Sequence, residues 1–176
     1  MTKNEKRAYM KVFKRFLIIL LVFTINLVST KDVYAFQRYE NEYWVYYVSE
    51  NHTEEKYDPN KVGKWMYFFT NKNFIDRVCL EAVERGIVNS AKYNNKVRGI
   101  ASFYINGDDL VAHKRVLNYF LKRHLIPKGK YSKFRDISFE FDSQTLFREY
   151  GNEFQAKIKL SDFIDLETGN WLEKAK

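Results

Sequence analysis

Along residues 42–160 the apolar residues switch between a period of two and a period of 3.6. That succession constrains the fold more than any other feature. Glu42-Tyr-Trp-Val-Tyr-Tyr-Val48 and Lys64-Trp-Met-Tyr-Phe-Phe69 are dense in aromatic and β-branched residues and read as strands, the second antiparallel to the first. The polar stretch Ser49–Val62, with Asp58-Pro59-Asn60, reads as the loop between them. Phe74, Ile75, Val78, Cys79, Ala82 and Val83 then recur at helical spacing, with N-cap oxygens from Thr70, Asn71 or Asn73 and a stop at Gly86.

Ile87–Tyr93 and Gly99–Ile105 read as two further strands. The turn Asn106-Gly-Asp-Asp109 hands a capping carboxylate to a second helix, Asp109–Leu125. Its buried stripe is Leu110, Val116, Leu117, Phe120, Leu121 and Leu125, and Pro127 follows its end. Asp136–Asp142 alternates cleanly, with Ile137, Phe139 and Phe141 inward; Phe154–Leu160 alternates less fully. The order ββαββαββ predicts an α+β domain, two long helices packed on one face of a mostly antiparallel sheet.

The first 35 residues stand apart. Cations Lys11, Lys14 and Arg15 precede the apolar run Phe16–Val28, and Val33 and Ala35 occupy the −3 and −1 positions of a cleavage site before Phe36. This is the pattern of a secretory signal peptide over 1–35, ahead of a single domain over 36–176. The runner-up is a single-pass membrane anchor, for which the run is short and interrupted by Asn26; a buried core element is the third reading. Under either of the first two, the body is secreted or surface-attached.

Export also recasts the charge. The chain carries 30 basic and 22 acidic residues, +8, but seven basic groups against two acidic fall within residues 1–35. Residues 110–135 hold Lys114, Arg115, Lys122, Arg123, Lys128, Lys130, Lys133 and Arg135 and no acid, which leaves the rest of the body net acidic. This block is the candidate anion-binding surface, with Tyr131 and Phe134 placed to stack. A plain solvated face is the competing reading, and cations near a helix C-terminus also offset its dipole.

No other motif carries chemistry. His113 and His124 are about 16 Å apart along a helix, so they read as helix-surface imidazoles; His52 falls in the polar loop. Cys79 lies on an apolar stripe and reads as a buried thiol, and as the sole cysteine it excludes an intramolecular disulfide. Asp108 and Asp109 read as helix caps, and Asn51-His52-Thr53 as a glycosylation sequon that matters only in a host that glycosylates. Glu140 and Asp142 share the polar face of one strand. No catalytic residue, metal site or cofactor is assigned.

The run Gly63-Lys64-Trp65-Met66-Tyr67-Phe68, then a helix, Gly86 and Ala91-Lys92, resembles the basophilic-leukaemia-expressed protein family, itself similar in fold to the cap-binding translation initiation factors. The resemblance spans about residues 42–160. It implies a curved antiparallel sheet with helices on its convex face and a ligand on its concave face. The two-tryptophan clamp of the cap-binding members does not transfer, because Trp44 and Trp65 lie inside predicted strands and Trp171 in the tail.

The expected function is therefore a small, non-catalytic, extracytoplasmic binding domain whose basic patch meets an anionic polymer, a lipid headgroup or a protein. The alternatives are a cytosolic nucleotide- or RNA-binding protein, with nucleic acid as partner only in that compartment, and a small exported enzyme using Glu140, Asp142 or a Tyr–His pair.

Overall fold

In the computed structural model, residues 35–50, 57–149 and 151–173 are described. The chain divides between Asp32 and Val33, and every described residue belongs to the second unit. Residues 1–34 of the expected leader, His52 and the sequon lie outside the described residues. Among the described residues no helix is long and apolar enough to cross a membrane.

Seven strands form one antiparallel sheet: β1 (Phe36–Glu40), β2 (Trp44–Ser49), β3 (Val62–Phe69), β4 (Ser90–Asn94), β5 (Gly99–Asn106), β6 (Ser138–Phe141) and β7 (Ile158–Lys159). Their order across the sheet is β1-β2-β4-β5-β3-β6-β7. The helices are α1 (Lys72–Glu84), α2 (Leu110–Lys122) and the short α3 (Asp142–Leu146). The α+β class and the antiparallel sheet agree with the sequence reading.

The predicted order needs two additions, β1 at the front and α3 between the last two strands. The expected pairing of the first two predicted strands is also corrected. β2 and β3 are not neighbours; the β4–β5 hairpin lies between them. Consecutive strands usually pair, but the connection after β2 is long enough to pass two strands. α1 and α2 each carry the chain past one intervening strand, so β3 and β4 flank β5, while β5 and β6 flank β3.

Local chemistry sets the ends. The Asn71 side chain accepts from the Phe74 N–H (3.0 Å), and the Asp109 side chain from the Ala112 N–H (2.9 Å). Gly86 (φ 61°) ends α1 in the left-handed region, and His124 (φ 54°) takes that position after α2. β4 starts three residues later than expected because the N–H groups of Ile87 and Val88 both return to the Ala82 carbonyl. Of the final alternating stretch only Ile158–Lys159 pairs, since β6 is itself four residues long and passes directly into α3.

The core lies between α1, α2 and one face of the sheet. Val45 and Tyr47 of β2, Ala91 and Tyr93 of β4, Ala101 and Phe103 of β5, and Trp65 of β3 are buried there with Val78, Cys79, Val116 and Phe120 from the helices. Leu110, expected in the stripe of α2, is instead exposed at its first turn. Tyr47 and Tyr93 both donate their hydroxyls to Asp76 Oδ1 of α1 at 2.7 Å. Burial, aided by that carboxylate, pushes Tyr47 up to about 12.

Gly63 is fixed by a close approach of β6. A Cβ there would stand 2.5 Å from both the Glu140 carbonyl oxygen and Phe139 Cε1. Gly63→Ala is expected to lower stability by about 1–3 kcal/mol, as overpacking of a tight interior does. Urea unfolding checks this, and a change below about 0.5 kcal/mol would show that β6 yields freely.

Candidate functional site

The face of the sheet away from α1 and α2 carries a cleft of about 680 Å³. Strand alternation builds it. Because successive side chains point to opposite faces, the residues between core positions line the cleft. Register aligns Tyr46 of β2, Lys92 of β4, Ser102 of β5 and Met66 of β3 in one row. It aligns Tyr104 of β5, Lys64 of β3 and Glu140 of β6 in another. α3 closes one end with Thr145 and Leu146. Phe68 (70% exposed) and Leu146 (77%) also line the cleft and give it exposed apolar surface.

The two lysines of the cleft differ. The Lys64 side chain is only 8% exposed. Its Nζ donates to Asp142 Oδ1 (2.8 Å) and to Thr145 Oγ1 (2.5 Å), and lies 3.3 Å from Glu140 Oε1. The Thr145 hydroxyl in turn donates to Glu140 Oε1. This ammonium is fully engaged, and it pairs with both of the carboxylates that the sequence offered for an exported enzyme.

The Lys92 ammonium has no hydrogen bond and no ion pair among the described residues. Its Nζ lies over three rings instead: Trp44 at 4.6 Å, Tyr104 at 5.3 Å and Tyr46 at 5.8 Å from the centroids. Ring quadrupoles hold a cation loosely and satisfy none of its N–H donors. Burial pushes the Lys92 amine below its ordinary range; Asp142 opposes that shift and Lys64 adds to it. Burial likewise raises Tyr104.

The candidate anion surface falls elsewhere. Lys114, Arg115 and Lys122 lie on α2 and Arg123 is its C-cap; Arg115 Nε donates to the Ile87 carbonyl and Arg123 pairs with Glu81. Lys128, Lys130, Lys133 and Arg135 lie on a hairpin closed by a Lys128–Phe134 bridge, and Lys133 faces Glu167 at 3.5 Å. Tyr131 stands 99% exposed near the tip, where it and Ser132 both have positive φ. Phe134 is half-buried. Lys128 Nζ sits 4.7 Å from its ring centroid, and Gly169 packs against its edge so closely that a Cβ there would be 2.9 Å away. Ala35 and Phe36, the expected cleavage pair, meet the sheet: the Ala35 carbonyl accepts from the Glu50 N–H, and Phe36 opens β1.

His113 is also corrected. It is 1% exposed, not a helix-surface imidazole. Trp65 Nε1–H donates to its Nδ1 (3.0 Å), so Nε2 carries the proton and donates to the Gly107 carbonyl (3.0 Å). Phe163 stacks on it and Phe139 meets its edge. Burial holds it below the ordinary 6.5. Cys79 is buried as expected, and burial raises its thiol well above the ordinary value. Among the described residues no three His, Cys, Asp or Glu side chains gather as a metal site.

The sequence reading missed Lys92 and most of its surroundings. The available signal was charge inside a strand: Lys64 and Lys92 each interrupt an apolar alternation on the side opposite the core.

No family model and no curated protein matches the chain. Solved structures similar to it include two eIF4E-3 proteins. One is C. elegans eIF4E-3 in its complex with the 4E-binding protein Mextli and a cap analog: TM-score 0.46, 13% identity, covering 66% of this chain and 68% of that chain. The other is Ascaris suum eIF4E-3 with an m7G cap: TM-score 0.43, 15% identity, with the same coverage. Overlays this loose decide neither the fold nor a ligand.

Proposed function

We propose that this chain is a small non-catalytic binding domain, carried outside the cytoplasmic membrane by its N-terminal segment. Its ligand combines an aromatic or apolar body with a negative charge. The observation that carries this reading is Lys92, a cation whose ammonium has no polar partner among the described residues, set among rings in a cleft whose other charged groups, Lys64, Glu140 and Asp142, are paired with one another. An anionic group supplies the hydrogen-bond acceptors that Lys92 lacks, and the apolar surfaces of Met66, Phe68 and Ile100 remove the ligand body from water. The basic hairpin around Tyr131 offers a second, more exposed contact for an anionic polymer, headgroup or protein. Kinship with the basophilic-leukaemia-expressed family belongs to this reading. It is supported by the chemistry of the Gly63–Phe68 run, where a close-approach glycine, a cleft lysine and a core tryptophan follow one another.

Calorimetric titration with benzoate and 1-naphthoate, against the matching amines, tests the ligand class. Binding of the acids alone is expected, with affinity reduced about tenfold or more in Lys92→Met, as loss of a charge-assisted hydrogen bond implies. Equal binding of acids and amines, or an indifferent variant, overturns it. N-terminal sequencing of protein from medium and from cells tests the compartment: an intact start in the cytosol replaces the export reading with a nucleotide- or RNA-binding one.

A further inference from the structure

We propose that Lys92 is a carbonyl-capturing amine, forming an imine with aromatic or apolar aldehydes that enter the open-face cleft. This rests on the reading of that cleft as a ligand site and names a substrate class for it.

The geometry sets Lys92 apart from the other cleft amine. Lys64 Nζ is held by Asp142 and Thr145 and lies beside Glu140, so its lone pair is unavailable. Lys92 Nζ donates to nothing among the described residues, and the three rings beside it exclude water from part of its surface without accepting a proton. A lysine becomes a nucleophile near neutral pH when it is desolvated in an apolar pocket close to another cation. The first condition is met here, since the cleft walls are mainly apolar; Lys64 stands on the same face, separated from β4 only by β5, with its charge shared with Asp142 and Glu140. The charged and titratable groups facing Lys92 are Tyr46 of β2, Tyr104 of β5, Lys64 of β3, Glu140 of β6 and Asp142 at the start of α3. Burial dominates and lowers the amine; Asp142 pulls the other way, and its charge is shared with Lys64.

The step balances without an oxidant or a reductant. The neutral Nζ adds its lone pair to the carbonyl carbon as the C=O π bond opens, giving a carbinolamine. Loss of water then forms the C=N bond, with protons exchanged through solvent at the mouth of the cleft. The reaction is reversible, so trapping it takes an added hydride donor, which reduces the imine to a secondary amine.

The full chain is incubated with benzaldehyde at neutral pH, trapped with cyanoborohydride and mapped by peptide mass spectrometry. The expected result is one dominant benzylated lysine, Lys92, at least tenfold above the mean of the others, with labelling that rises as pH increases through a midpoint below that of exposed lysines. Lys92→Arg, which keeps a cation but has no amine to condense, is expected to lose the dominant label; Lys159→Arg, changed at an exposed position of β7, is expected to keep it. Label spread over the lysines according to exposure overturns the proposal. Benzoate titration separates the two readings. Benzoate binding without selective labelling refutes the amine chemistry and leaves the binding cleft standing. Selective labelling without benzoate binding sustains the amine and refutes the preference for anionic ligands.

Discussion

Replacing His113 with alanine is expected to destabilise the protein by about 4 kcal/mol. Truncating a buried ring opens a cavity worth roughly 3 kcal/mol, and stranding a buried donor and acceptor adds about 1–3 kcal/mol. The stranded groups are Trp65 Nε1–H and the Gly107 carbonyl. Against a total of about 5–15 kcal/mol for a typical domain, that is a large fraction. Urea unfolding followed by tryptophan fluorescence measures it, and a loss under about 1 kcal/mol would refute the pairing.

The same imidazole makes stability depend on pH. Its folded value is depressed below the ordinary 6.5. Above 6.5 it is neutral in both states and its contribution is complete. As pH falls from there toward the folded value, the unfolded chain binds the proton and the folded one resists it, so stability drops. A midpoint in urea that is flat from pH 7.5 down to 5 would contradict this, whereas His113→Phe is expected to flatten that part of the profile.

The second large effect lies in the cleft. Lys64→Met leaves Glu140 buried without its cation, while Asp142 is more exposed and hydrates readily. Breaking a buried pair from one side costs about 3–5 kcal/mol, and the lower end is expected because Thr145 still donates to Glu140. Adding Glu140→Gln removes the uncompensated charge. The double variant is expected to recover most of the loss, a coupling of about 2 kcal/mol that a double-mutant cycle reads directly. Additive losses would show that the two residues do not act as a pair.

What the sequence disclosed was local. Asn71, Gly86 and Asp109 marked helix ends because capping is satisfied within a few residues. Ile137, Phe139 and Phe141 marked a strand because its inner face alternates. β1 escaped because an edge strand with Gln37, Arg38 and Glu40 exposed has little apolar alternation to show. His113 was misread because its partner, Trp65, lies 48 residues earlier in the chain. The basic block stood out as a run of neighbours in sequence. The cleft takes only one to three residues from each strand, and only the register of β2, β4, β5, β3 and β6 assembles it.

Along β3, Gly63 and Trp65 serve the interior while Lys64 and Met66 serve the cleft; along β5, Ala101 and Phe103 alternate with Ser102 and Tyr104. Recognition and folding are thus written on interleaved positions of the same strands. Randomising Tyr46, Lys92, Ser102 and Met66 together would sample new specificities in a single row while leaving every core contact beneath them unedited, so the scaffold is suited to directed diversification.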